Sequence, residues 1–280
     1  MANLRYPRFM HKVDFDFGRY VAFRKGAQKA QRREGANYAF SADLRMLRKI
    51  ERLGPVQAAL EEAGRLFQRQ AQKDLLDAST KVTKEQHARL YAAAKLCADR
   101  LHIAMPPVYV TQEPKEPVPL TLGVFEDAYI LLPSSLLSDL SDDELLFAIG
   151  AECGRIQNGH IALRTALFYM THVPTGFLRF AVLPIKSIFA VWLRRAHITA
   201  DRAGLICCRN LEVSASALEK ILQAGDPLET GRRKNAITRF AESQYYRALF
   251  DLKGGESLES NDEAVAALLD DSFAVGKGAV

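Results

Sequence analysis

The chain has 280 residues, of which 48% are hydrophobic and 25% charged, and its formal net charge is +5. That balance is ordinary for a soluble globular protein of one large domain, or of a domain with extensions, and it excludes a highly charged or low-complexity chain. The small positive excess is only weak support for nucleic acid or an anionic membrane surface, and nucleic acid is not expected as a partner. The four cysteines, Cys97, Cys153, Cys207 and Cys208, lack CxxC spacing. This argues against a disulfide framework and for a reduced, cytoplasmic setting. The opening residues MANLRYPRFMHKVDF contain no apolar stretch of the kind a secretory signal needs.

In chain order, Val13, Phe15 and Phe17 alternate with Asp14 and Asp16, which reads as a short strand. Gly18–Gly35 is rich in Lys and Arg, and is taken as a solvated helix face rather than a phosphate-binding surface. Ser41–Leu75 carries apolar residues at helical spacing, punctuated by Gly54-Pro55. Residues 1–78 together form a helical, basic extension. Ser79 or Thr83 is the expected cap of a helix running through Leu90, Ala94 and Cys97 to Leu101. Val108–Val110 reads as a strand, Pro114, Pro117 and Pro119 as a loop, and Leu120–Val124 and Ala128–Leu132 as two further strands.

Leu137–His160, LSDLSDDELLFAIGAECGRIQNGH, carries most of the functional information. Ser141 followed by Glu144 makes a capping box, and Asp142 and Asp143 add negative charge to the first turn of the helix. Ile161–Leu193 is apolar and interrupted at Pro174-Thr175-Gly176, so it reads as a helical hairpin. A membrane-spanning helix needs about 20 mostly apolar residues. Phe177–Leu193 is shorter and contains Arg179, Pro184 and Lys186, so no spanning segment is expected. Three readings remain for it: packing into its own domain, which is preferred, a peripheral membrane contact, or self-association. Arg194–Leu205 is a further helix. Val213–Ala224 is another, closed by Gly225-Asp226-Pro227, and Arg232–Leu252 reads as one amphipathic helix. Residues 253–280 are a linker through Gly254-Gly255, a short helix over Ala264–Leu269, and a loose tail.

The stretch SDDEL followed by Glu152, Gly154, Ile156, Asn158 and His160 resembles the active-site helix of the gluzincin zinc endopeptidases of the CAAX prenyl protease and heat-shock-protein-X type. In that family the helix reads HELGHIxNxH. Leu101–Thr111 looks like the family's entry strand and Ala200–Leu205, ADRAGL, like its second site helix, so the resemblance spans roughly residues 82–222. It implies an α+β, mostly helical zincin fold with a small sheet on the active-site helix, in a peptidase domain over 79–252 that includes the hairpin 161–193. It also implies a cleft in which an edge strand binds peptide backbone.

Measured against that family pattern, this chain departs where the metal would bind. Ala151 and Arg155 stand at the two histidine positions of HExxH. Alanine has no lone pair to donate, and a guanidinium carries only donors. His197, four residues before Asp201, stands at the third ligand position. One imidazole is not a catalytic zinc site, which keeps three protein ligands. Glu152 matches the general base but lacks a metal-polarised water to act on. The expected vestigial site is therefore Ala151, Glu152, Arg155, His197 and Asp201, with no metal, no cofactor and no catalytic residue. Arg155 is expected to balance the carboxylates of Glu152 and Asp201, with Asp201 meeting Arg155 or His197. The function this implies is an inactive pseudo-metallopeptidase that binds protein or peptide partners. The alternatives are an active metalloendopeptidase using His197, His160 or Cys153, or a protein of membrane-surface or oligomer assembly.

Overall fold

A computed structural model describes residues 35–54, 56–57, 78–112, 117–123, 128–172, 186–223 and 225–275. The expected strand at 13–17, the basic stretch 18–34, residues 58–75 of the expected Ser41–Leu75 helical stretch, the join between the two expected strands at 124–127 and the middle of the apolar hairpin, 173–185, lie outside these residues. The described elements in order are α1 (Ser41–Ile50), β1 (Ser79–Lys81), α2 (Ala88–Leu101), β2 (Val108–Thr111), β3 (Leu120–Leu122), β4 (Tyr129–Pro133), α3 (Ser134–Asp139) and α4 (Asp142–Gln157). They continue as α5 (Ile161–His172), α6 (Lys186–Cys208), α7 (Leu211–Ile221), α8 (Pro227–Ala241), α9 (Gln244–Ala248) and α10 (Leu258–Val275). The fold is thus α+β and mostly helical, with one small sheet.

At the centre stands α4. The Ser141 hydroxyl accepts from Glu144 N–H, and the Glu144 carboxylate accepts from Ser141 N–H, so the capping box forms. From Glu144 to Gln157 every residue of α4 except Leu146 is buried, because helices and sheet surround it. Its main neighbour is α6. Gly150 and Gly154 let the two backbones approach: a Cβ on Gly154 would overlap Ala203 Cβ, and one on Gly150 would lie 2.5 Å from Cys207 Cβ. From α6, Gly204 returns the arrangement, since a Cβ there would stand 2.7 Å from the Phe147 ring. This close seam brings the polar residues of both helices together.

The sheet has the order β1-β2-β4-β3, with β2 parallel to β4 and both outer strands antiparallel to their neighbours. All three residues of β3 are buried. Its polar member, Thr121, reaches α4, and just beyond it Gly123 exchanges two hydrogen bonds with Thr165 of α5.

The segment from Ala36 to Ile50 packs into the same body. Ala36 N–H donates to Asn158 Oδ1 (2.8 Å), and Tyr38 OH donates to Gln157 Oε1 (2.7 Å). Phe40 N–H donates to Thr199 Oγ1 (3.1 Å) and Ser41 N–H to Asp262 Oδ2 (2.8 Å). Leu47, Ile50 and Val56 form an apolar cluster with Leu163, Phe189, Trp192 and Ala196. The described end of the expected hairpin, including fully buried Trp192, therefore packs against its own chain.

Several local expectations are corrected. Ser79 lies in β1, and Thr83 accepts from Gln86 N–H in a turn; α2 starts later, after His87. The apolar residues 186–193 and the second site helix are one continuous helix, α6. Asp226-Pro227 opens α8, with the Asp226 carboxylate accepting from Leu228 N–H and proline at the first helical position. The region read as one helix over 232–252 is two, α8 and α9, separated where Ser243 caps the second. The short helix expected at 264–269 is the long α10, begun six residues earlier in polar sequence whose Asn261 and Asp262 are buried against Arg202.

Candidate active site

On α4, Glu152 and Arg155 are three residues apart and therefore neighbours on one face. Both are buried, and Arg155 Nε donates to Glu152 Oε1 at 3.0 Å. Thr121 of β3 donates to the other oxygen, Oε2, at 2.5 Å. Arg164 of α5 stands with its Nη1 3.9 Å from Oε1. Burial alone would raise the Glu152 carboxyl, but Arg164, Arg155 and the Thr121 hydroxyl outweigh it and hold the group below the usual carboxylate range. Glu152 is therefore ionised at neutral pH.

The Arg155 guanidinium also faces α6. Its Nη2 lies 2.8 Å from His197 Nδ1, and its Nη1 donates to Ala196 O at 3.5 Å. A guanidinium can only donate, so Nδ1 is the acceptor and the neutral imidazole carries its proton on Nε2. Burial, then Arg233, Arg155 and Arg164, pushes the His197 pKa well below its ordinary value, so the ring is neutral at physiological pH. Burial and the neighbouring Arg164 lower Arg155 to about 10, which leaves it charged.

Asp201 does not meet Arg155 or His197. It is fully buried and held in a two-pronged pair by Arg233 of α8, with Nε to Oδ2 at 2.8 Å and Nη2 to Oδ1 at 2.6 Å. The reason is geometric: α8 packs on α6 and delivers a planar fork that matches both carboxylate oxygens. Arg155 thus serves one carboxylate, and Arg233 serves the other.

His160 is also fully buried. Its Nε2 lies 2.9 Å from Asp43 Oδ2 of α1, a close but poorly aligned contact, and its ring stands edge-on to Trp192. Asp43 Oδ2 also accepts from Thr199 Oγ1 at 2.6 Å. Cys153 is buried near Cys97 and Cys207, and burial raises its thiol well above the ordinary value, the opposite of an activated thiolate.

Arg164, Arg233, Thr121 and Asp43 were not singled out from sequence. Arg233 lies 32 residues beyond Asp201, and no local spacing links them. Thr121 gave a usable signal, being the one polar residue of an otherwise apolar strand.

The residues present do not fit a zincin's metal. At the two i, i+4 positions stand a methyl group and a cation, and the remaining imidazole turns its Nδ1 to that cation. Among the described residues, no three His, Cys, Asp or Glu side chains converge as a metal ion would require.

A family model described as peptidase family M48 matches residues 84–260. The chain is also similar to plastoglobule-localized metallopeptidase 48, chloroplastic, of Arabidopsis thaliana, at 27% identity over 147 residues, which is 51% of this chain. The match spans 42% of that relative's length. No solved structure matches. With the helix pair, the edge strand and the retained Glu152 in place, and the family model covering well over half of its length, this chain belongs to peptidase family M48.

Proposed function

We propose that this chain is a pseudo-peptidase, which keeps the family's cleft and acts by binding a protein or peptide without hydrolysing it. The observation that carries the reading is the position of Arg155. It occupies a ligand position of the family pattern and donates both to the retained general base Glu152 and to the one remaining imidazole. A divalent cation placed there would meet a permanent positive charge at close range, and the interior screens such repulsion poorly. β3 borders the site through Thr121 and lies at the sheet edge, where family members accept extended peptide.

Metal analysis and casein cleavage on the purified chain test the reading. It expects no stoichiometric zinc and no chelator-sensitive cleavage. The plant relative's name, a metallopeptidase, keeps hydrolysis as the second reading. One equivalent of zinc, with cleavage abolished by Glu152→Gln, would establish that reading instead. The triple change Ala151→His, Arg155→His, His197→Glu is expected to create tight zinc binding, because the α4–α6 seam holds the three positions of the family pattern.

A further inference from the structure

We propose that Arg164 is the recognition point for a carboxylate carried by the bound peptide, either its C-terminus or an acidic side chain. The inference rests on the binding reading above and names the chemistry that the cleft selects.

Three guanidiniums, Arg155, Arg164 and Arg233, gather around two carboxylates, Glu152 and Asp201. Both carboxylates are already served. Asp201 has both oxygens on Arg233, and Glu152 has one on Arg155 and the other on Thr121. His197 is neutral and adds no negative charge. Among the other described carboxylates nearby, Glu229 interacts with Arg233, Arg194 and Arg232, and Asp43 lies against His160 and Thr199.

Of these three guanidiniums, Arg164 is the one that makes no hydrogen bond to a carboxylate among the described residues, its contact with Glu152 being an ion pair at longer range. It is only 9% exposed, yet its nearest carboxylate oxygen is 3.9 Å away, beyond hydrogen-bond reach. Its guanidinium donates to none of the described residues, which leaves its N–H groups available to an incoming acceptor. A guanidinium presents five N–H donors in a rigid fork, and the group that matches this fork in plane and charge is a carboxylate. The fork lies beside Glu152, whose other oxygen is held by Thr121 of β3, so a peptide laid along β3 would bring its carboxylate within reach.

Fluorescence anisotropy of the full chain with three rhodamine-labelled hexa-alanine probes tests this. One probe ends in a free acid, one in an amide, and one is an amide with a single internal glutamate. At least one carboxylate probe is expected to bind about tenfold more tightly than the neutral amide. Whichever probe that is identifies the source of the carboxylate. The preference is expected to disappear in Arg164→Gln and to survive in Lys253→Gln, which removes the same charge at an exposed position. Equal binding of all three probes, no binding of any probe, or an unchanged preference in Arg164→Gln would overturn the proposal. If Arg164→Gln does not fold, the comparison of both carboxylate probes with the neutral amide on the unaltered chain still decides. Zinc and caseinolysis measured on the same preparation separate the two proposals. Zinc with cleavage defeats the binding reading, whereas a metal-free chain with no carboxylate preference defeats this inference alone.

Discussion

Replacing Arg155 with alanine probes the centre of the site. The change removes the 3.0 Å partner of Glu152, a carboxylate whose side chain is 5% exposed, and the 2.8 Å neighbour of His197 Nδ1. Breaking a buried pair from one side costs about 3–5 kcal/mol, because the remaining charge stays desolvated. Arg164 is 3.9 Å away and can close on Glu152, which places the expected loss at the low end, about 3 kcal/mol. Glu152→Gln in the same background removes the stranded charge, so the double variant is expected to lose less than the sum, with a coupling of about 1–2 kcal/mol. The sign of the pH dependence follows from the depressed Glu152 pKa. A group of this kind stabilises the fold above its unfolded value, about 4.3, and that stability is lost as pH falls through the lower folded value. Without Arg155 the acid limb of the stability curve moves to higher pH. Urea unfolding of the four proteins between pH 3 and 7 measures all of this. A loss below about 1 kcal/mol, or strict additivity, would show that the pair behaves as a solvated surface pair, and would refute the reasoning.

Further outcomes follow from other parts of the fold. Gly154→Ala forces a methyl into Ala203 and is expected to cost about 1–3 kcal/mol in thermal unfolding. Gly231→Ala, which meets nothing within reach on an exposed helical turn, is expected to stabilise by about 0.4–1 kcal/mol. Asp43→Ala strips buried Thr199 of its acceptor and His160 of its close carboxylate neighbour and is expected to cost about 1–3 kcal/mol, with Asp43→Asn milder because it keeps an oxygen for the threonine. Burial would raise the Glu144 carboxyl, but Lys220, Ser216 and Ser141 outweigh it and bring it down to about 2. Its contribution is therefore present above the unfolded value and lost on the way down to about pH 2. Lys220→Met is expected to raise the midpoint of acid unfolding, read by circular dichroism.

The helix that organises the molecule was legible because its signals are local. Ser141, Glu144 and the acidic first turn fix where α4 begins, and the family spacing then names Glu152, Arg155 and His197. The burial of the Glu152–Arg155 pair could be argued only from the resemblance. The partner of Asp201 was illegible, since Arg233 arrives on a helix whose place depends on packing far along the chain. Asp226-Pro227 was misjudged because the same dipeptide can follow one helix or open the next, and only the hydrogen bond from Leu228 N–H decides. Polar sequence hid the start of α10, whose Asn261 and Asp262 look like surface residues until Arg202 is seen between them and the Phe40 and Phe240 rings.

Ser41 and Asp262 are hydrogen-bonded across 221 residues. During synthesis that contact cannot form until α10 has left the ribosome, so Phe40, which packs with Val265 and Leu269 of that helix, cannot complete its burial before then. The nascent chain therefore presents apolar surface for an extended time, a period in which chaperone capture competes with folding.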